Sequence, residues 1–383
     1  MPEAVVVDAV RTPIGRAVKG SLREVRADDL AAIPLRALSE RNPQVDFTRT
    51  DDVVMGCGFP LGEQGHNLGR NAALLAGYGE GVPGVTVNRF CASSLQALRM
   101  AFHAVRCGEA DQVVAAGVES VSRFGSQPPF ELHPDLAGDP ESPAGVYMPM
   151  GMTAEHVARR RGVSREAQDE WAAISQQRAV AAVASGHFEA EIVPVNLPDG
   201  TCVVADDGPR PGTSRKRLAE LTPVFAEEGT VTAGNACPLN DGAAAVLVMS
   251  STRAQELGLK PRARIVASAV AAVEPELMGL GPLPAVKRVL ELAGMALSDM
   301  DVVELNEAFA AQVVPCRDEW GIDWENLNPF GGAIALGHPF GMTGARIATT
   351  LLNNLRVLDG TFGLETMCVA GGMGQAMIFE RLA

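Results

Sequence analysis

The chain has 383 residues, 47% of them hydrophobic, 5% aromatic and 20% charged, with 40 Gly and 25 Pro. That is too long for one small core, so two or three domains with a large buried fraction are expected. A net charge of −14 disfavours general binding to nucleic acid or an anionic membrane, and no apolar run reaches the ~20 residues that span a bilayer.

The opening residues, MPEAVVVDAVRT, read as a strand that begins almost at once. They lack the basic stretch and apolar segment of a secretory signal and the arginines of a transit peptide. Next comes VNRFCASSLQALRMAFHAV. Val85–Val87 ends in a polar step and then Cys91, and Leu95, Leu98, Met100, Phe102 and Val105 follow in a helical pattern. The pattern predicts strand, tight turn and helix, with the thiol at or near the helix start. A helix N-terminus favours a thiolate, the nucleophilic form, so a lowered thiol pKa is expected. A small buried hydrophobe is the other reading of the same residue. Seven cysteines, odd in number and with no CxxC pair, argue against zinc or thioredoxin-type chemistry and fit a cytosolic protein with free thiols.

The segment from about Glu119 to Leu239 breaks the strand and helix rhythm. It holds the proline-rich, loop-like SQPPFELHPDLAGDPESPAG. A helix follows, with Ser164 as its N-cap and Gly186 as its stop. This region reads as an insertion that covers a substrate or serves structure or oligomerisation.

Beyond it the chain echoes its first part. Asp52-Val53-Val54 is matched by Asp301-Val302-Val303. Cys91 lies 39 residues after Asp52, and His338 lies 37 residues after Asp301. Each reactive position is expected to open a helix that leads to an apolar strand with glycine, DQVVAAGVES in one case and ETMCVAGGMGQAMIFE in the other. Two related halves would then bring Cys91 and His338 together.

Three further segments carry chemistry. Asn306-Glu307 ends the apolar VVEL and is placed to face a site, or to cap a helix. His338 lies in the glycine-rich GGAIALGHPFGMTG, where a base can approach a thiol. Cys368 precedes a glycine run whose backbone can present N–H groups to an oxyanion. There is no HExxH, paired-carboxylate cluster, P-loop lysine or GxGxxG after a first strand, so neither a metal nor a dinucleotide is called for. Two thiols and a histidine suit Claisen condensation, or its reverse, on thioesters.

The segments VNRFCASSLQAL, NEAFA, GHPFGMTGAR and CVAGGMG, with DAVRTPIG, MGMTAE and GNACPLNDGAAAVL, resemble those of the thiolases, the acyl-CoA C-acyltransferases. The resemblance runs along the whole chain. It implies an α/β thiolase fold: two related βαβαβαββ halves forming a five-layered α/β/α/β/α core, with an inserted loop domain. The implied division is 1–118 and 240–262 for the first half, 119–239 for the CoA-binding insertion and 263–383 for the second half. By resemblance, Cys91 is the acylated nucleophile. His338 activates it and contributes to an oxyanion hole, which a water on Asn306 completes. Cys368 is the acid/base at the substrate α-carbon, and the N–H groups of Cys91 and Ala370 form a second hole. Coenzyme A is a co-substrate, with no permanently bound cofactor and no metal.

For CoA, the resemblance carries over Arg210 near the nucleotide end and Met150, Phe225, Ala233, Cys237, Ala308 and Phe309 along the pantetheine channel. Arg215, Lys216 and Arg217 read either as part of that basic patch or as a solvated run. The chain departs from the family at Cys237, where Ser or Gly is usual, and at Ala370, where Gly is usual. Ala370 keeps a usable N–H only if its backbone suits an L-residue. Pro149-Met150-Gly151 and Arg89 lean toward the degradative 3-ketoacyl-CoA thiolases. The implied function is thiolysis of 3-oxoacyl-CoA in β-oxidation-type degradation by a cytoplasmic homodimer or homotetramer. Acetoacetyl-CoA condensation and a non-catalytic CoA- or lipid-binding relative stay open. A ketoacyl synthase would carry a second histidine in place of Cys368.

Overall fold

A computed structural model describes residues 2–124, 131–139, 142–143 and 145–383. Part of the proline-rich run 126–145 read above as a loop lies outside the described residues. The first half runs β1 (Ala4–Arg11), α1 (Ala27–Arg41), β2 (Asp52–Gly56), α2 (Leu68–Leu75), β3 (Gly84–Val87), α3 (Ser93–Cys107) and β4 (Gln112–Ser120). Two helices of the intervening segment follow, α4 (Met150–Arg161) and α5 (Arg165–Ala184), and then β5 (Asn240–Ser250). The second half runs β6 (Ala263–Ala272), α6 (Pro282–Ala293), β7 (Val302–Leu305), α7 (Ala310–Trp320), α8 (Thr343–Val357), β8 (Phe362–Val369) and β9 (Met373–Arg381).

Every residue of β1, β4 and β5 is buried, as expected of strands covered on both faces. In the first half β3, β2 and β4 are parallel neighbours, and β4, β5 and β1 continue antiparallel. The second half repeats this order: β7 and β8 are parallel, and β8, β9 and β6 are antiparallel. A parallel bridge between Val303 and Leu327 stands where β3 stands in the first half. The echo in sequence is therefore an echo in space. Among the described residues only Val5–Arg264 and Val6–Ala263 pair across the two sheets, edge to edge.

Side chains alternate faces along a strand, so each sheet feeds two cores. Val53 and Met55 of β2 pack with Leu30, Leu35 and Leu38 of α1 on the outside. Val54 turns inward, to a core shared by α3, α8 and both sheets. On the far side, Val303 and Leu305 pack with Val286 and Val289 of α6 and Val313 of α7. Layers of helix, sheet, helix pair, sheet and helix result, the five-layered α/β/α/β/α arrangement that the resemblance implies. Helices α4 and α5 add Ala154 and Trp171 to that last core. Ser164 caps α5 by accepting the Ala167 N–H at 3.2 Å, and Gly186 follows in the left-handed conformation. Among the described residues no helix is long and apolar enough to cross a membrane, and no cluster of His, Cys, Asp and Glu is arranged for a metal.

Candidate active site

Helices α3 and α8 meet at their N-terminal ends. Ser94 Oγ accepts the Ala345 N–H at 2.9 Å, and a Cβ on Gly344 would lie 2.3 Å from the Leu95 nitrogen. The turns that precede the two helices are thereby brought side by side. One carries Cys91, within a 3₁₀ turn Phe90–Ala92 directly before α3. The other carries His338, five residues before α8. His338 therefore does not open the helix as its spacing predicted; Pro339 to Met342 form a separate turn first.

The Cys91 turn is held from all sides. Phe90 adopts φ 44°, a left-handed conformation that costs a bulky residue about 1–3 kcal/mol unless its surroundings impose it. Asn88 Oδ1 accepts the Phe90 N–H at 2.7 Å, and Ser93 Oγ accepts the Arg89 N–H at 2.9 Å while donating to the Phe90 carbonyl at 2.6 Å. Burial pushes the Cys91 thiol up to about 11, the Ala370 and Cys91 N–H groups pull it back, and nearby Glu119 adds to the rise. The expected lowering by the helix start is thus overturned. Removing an anion from water outweighs the partial charge of a helix terminus.

Ala370 is not among the residues with positive φ, so a Cβ is accommodated there, and its N–H is one of the two that favour the ionised form of Cys91. Cys368, the next residue but one before it, is the penultimate residue of β8 and has no exposure. Its thiol is held well above the usual range by burial and by the nearby Cys91, Cys316 and Cys237. Cys237 is half-buried and is likewise pushed up, by burial and then by Cys91. Its N–H donates to the Ala308 carbonyl at 3.0 Å, and Ala236 bridges Phe309. Cys91, Cys237 and Cys368 thus share one buried region.

His338 is 1% exposed. Its Nδ1 lies 2.6 Å from Thr343 Oγ1 and its Nε2 lies 3.3 Å from Asn306 Nδ2. Burial, reinforced by Arg346, lowers its pKa to about 3, so the ring is neutral. The His338 ring is hydrogen-bonded to Thr343 and Asn306 and not to Cys91. Asn306 Oδ1 is buried without a protein partner. Glu307, beside it, turns away from the site. Its carboxylate accepts from Trp171 Nε1 at 3.1 Å, Ser175 Oγ at 2.6 Å, Asn328 Nδ2 at 2.9 Å and the Ile334 N–H at 3.1 Å. It therefore ties α5 to the second half.

The CoA candidates divide. The Phe225 ring packs edge-on against Phe309 at 6.2 Å, and Gly151 leaves it room, since a Cβ there would lie 2.2 Å from the ring. Met150 is half-buried beside them, whereas Ala308 is buried. Ala233 and Arg210 are exposed, with the Arg210 N–H on Gln176 Oε1 at 2.8 Å. Arg215, Lys216 and Arg217 are also exposed, and Arg215 meets Glu170 at 3.3 Å, as in a solvated run.

Two residues near the site were missed in the sequence. Thr343 carried no signal of its own. Glu119 did: it is a charged residue near the end of the apolar run QVVAAGVES, and it is fully buried.

Comparison with known proteins agrees with the fold. Residues 4–252 match the family "Thiolase, N-terminal domain" and residues 259–381 match "Thiolase, C-terminal domain". The chain is 48% identical over 391 residues to the 3-ketoacyl-CoA thiolase of Cronobacter sakazakii, with both chains covered in full. It is 46% identical over 407 residues to the beta-ketoadipyl-CoA thiolase of Acinetobacter baylyi, again with both covered in full. The crystal structure of the Bacillus anthracis acetyl-CoA acetyltransferase superposes with a TM-score of 0.91 at 37% identity, over 100% of this chain and 99% of that one.

Proposed function

The chain belongs to the thiolase family of acyltransferases, and on that premise we propose that it cleaves 3-oxoacyl-CoA with CoA, giving acetyl-CoA and a shortened acyl-CoA. One observation supports the assignment of roles: the helix starts that follow Cys91 and His338 are locked together, with Ser94 Oγ accepting the Ala345 N–H at 2.9 Å, and Nε2 of His338 lies 3.3 Å from Asn306 Nδ2.

In this mechanism Cys91 gives its proton to Nε2 of His338 and attacks C3 of the substrate. The Cys91 and Ala370 N–H groups stabilise the tetrahedral oxyanion on C3. The C2–C3 bond breaks, its electron pair goes to the acetyl-CoA enolate, and Cys368 protonates C2. The enolate oxygen is held by the imidazolium N–H and a water on Asn306 Oδ1. Fixed donors of this kind are each worth about 10²–10³ in rate. The second CoA loses its thiol proton to the Cys368 thiolate and attacks the acyl-Cys91 carbonyl, and the departing Cys91 thiolate takes its proton back from the His338 imidazolium, which restores both thiols.

Met150, Phe225, Phe309 and Cys237 line the pantetheine path, and Arg210 meets the nucleotide end. Residues 119–239 form the CoA-binding insertion between a first half of 1–118 with 240–262 and a second half of 263–383. The degradative direction, in β-oxidation, rests on the 3-ketoacyl-CoA thiolase names of relatives at 48% identity. Seven unpaired cysteines support a cytoplasmic enzyme. Half-exposed β3, at the sheet edge, supports pairing with a second copy in a homodimer or homotetramer.

The test is thiolysis of 3-oxoacyl-CoAs of increasing length and bulk, with the acyl group trapped on Cys91 and located by peptide mass. Turnover of acetoacetyl-CoA alone, with condensation favoured, would move the assignment to synthesis. Normal turnover by Cys91→Ser would end it.

A further inference from the structure

Glu119 joins the two halves of the site without touching either reactive side chain. Its carboxylate only accepts. Oε2 takes the N–H groups of Gly58 and Gly341, each at 2.8 Å. Oε1 takes Gln64 Nε2 at 2.7 Å and the Phe59 N–H at 3.2 Å, with the Cys57 thiol at 3.8 Å. Gly58 follows β2 in the first half. Gly341 lies three residues after His338, in the second.

The connection continues to the nucleophile. The Gly58 carbonyl accepts Asn88 Nδ2 at 2.9 Å, and Asn88 Oδ1 accepts the Phe90 N–H at 2.7 Å, next to Cys91. An unbroken run of hydrogen bonds thus links the His338 loop to the Cys91 turn, with Glu119 at its centre. Around it the backbones meet directly. A Cβ on Gly117 would lie 2.0 Å from the Gly341 carbonyl oxygen, and one on Gly341 would lie 2.2 Å from the Val118 oxygen. A side chain at Gly117 or Gly341 would not fit there, and the Glu119 carboxylate is hydrogen-bonded to both loops.

We propose that Glu119 is the positioning residue that sets the His338 turn against the Cys91 turn, an inference that rests on the reading of Cys91 as nucleophile and His338 as its base. A carboxylate suits the task because four N–H donors require acceptors on both oxygens. An amide of the same shape turns an NH₂ toward two of them. The same charge has a second, opposite effect: it stands close enough to Cys91 to oppose ionisation of the thiol. Neutralising it therefore slows turnover while making Cys91 easier to ionise. A clamp without electrostatic reach would do only the first.

The experiment uses the full chain with Glu119→Gln, Glu119→Asp and Asn88→Ala. It follows thiolysis of a 3-oxoacyl-CoA, together with the pH dependence of Cys91 alkylation by iodoacetamide, read from the Cys91 peptide. Glu119→Gln is expected to lower kcat on the order of 10²-fold, as a 1 Å misplacement does, with little change in KM and an alkylation midpoint at lower pH. Glu119→Asp keeps the midpoint near wild type. Asn88→Ala breaks the same run without changing charge, so kcat falls and the midpoint stays.

Wild-type kcat in Glu119→Gln overturns the proposal, as does an unchanged midpoint. If Glu119→Gln does not fold, undiminished kcat in Asn88→Ala overturns it. Wild-type enzyme that turns over normally after Cys91 is alkylated ends the nucleophile reading as well, and that result is distinct from the other three.

Discussion

The Nδ1 of His338 lies 2.6 Å from the Thr343 hydroxyl, and that hydroxyl already donates to the Pro339 carbonyl at 2.7 Å. The hydroxyl has one proton and has spent it, so it must accept from His338. Nδ1 therefore carries the ring proton, and Nε2 presents a lone pair beside Asn306. This assigns the tautomer from the network around it. Thr343→Val removes the acceptor and frees the ring to take either tautomer. We expect kcat to fall by about tenfold to a hundredfold, the usual cost of losing an orienting partner, with KM unchanged and Thr343→Ser restoring the rate. Unaltered kcat in the valine variant would separate Thr343 from catalysis.

Burial favours the neutral form of both reactive groups, with Cys91 near 11 and His338 near 3. The resting pair is thiol and imidazole, not thiolate and imidazolium. Alkylation of free enzyme by iodoacetamide should therefore keep rising with pH through neutrality toward about 11. A plateau reached by pH ~7, as low-pKa catalytic thiols show, would contradict this.

The same depression of His338 affects stability. The unfolded ring regains its ordinary 6.5, so between about 3 and 6.5 the unfolded chain holds the extra proton. The stabilisation from a neutral His338 is complete above pH 6.5 and is lost as pH falls toward 3, by up to about 1.4 kcal/mol per pH unit. Glu304, pushed up to about 8 by burial, acts in the opposite sense between 4.5 and 8. The test is thus a difference: urea unfolding of wild type and His338→Asn across this range, with the acid limb shallower in the variant. Parallel curves would show that His338 titrates normally in the folded chain.

Cys368→Ala should separate the two halves of the reaction. Under the proposed mechanism it leaves the nucleophile Cys91 in place but removes the proton donor at C2. C–C cleavage should fall on the order of 10²–10⁴-fold, the range for a lost acid/base, while acylation of Cys91 by a simple acyl-CoA is largely kept. Equal loss of both would refute the assignment.

Two glycines should respond in opposite ways to alanine. Gly117→Ala would set a methyl 2.0 Å from the Gly341 carbonyl oxygen and 2.9 Å from its carbon, where nothing flexible can yield. A loss of about 1–3 kcal/mol or more is expected in urea unfolding. Gly81 has nothing within 4 Å of the added carbon and no positive φ. Gly81→Ala should be neutral or gain about 0.4–1 kcal/mol, through the unfolded state. Similar midpoints for the two would mean that the Gly117 contact is relieved by movement.

Much of the molecule was legible one segment at a time. The strand, turn and helix around Cys91 followed from apolar spacing. The doubling of the fold followed from the Asp52 and Asp301 echoes, because equivalent patterns bury equivalent faces. Ser164 and Gly186 marked the ends of α5 through local hydrogen bonding and backbone freedom. What could not be read was the sign of the shift at Cys91. The helix start is local, but the desolvation that outweighs it comes from both sheets. The role of Glu119 was hidden for a related reason: its partners lie 55 to 222 residues away.

The sequence by itself determined the family, the two-fold repetition of its α/β halves and which side chains are chemically capable. These depend on residue type and on periods a few residues long. Tertiary structure decided the state in which those side chains rest. It put His338 in a turn ahead of α8, chose its tautomer through Thr343, kept Cys91 protonated by burial and tied the two reactive loops through one carboxylate. Electrostatic energies depend on surroundings in three dimensions, and in this chain those surroundings are contributed by both halves.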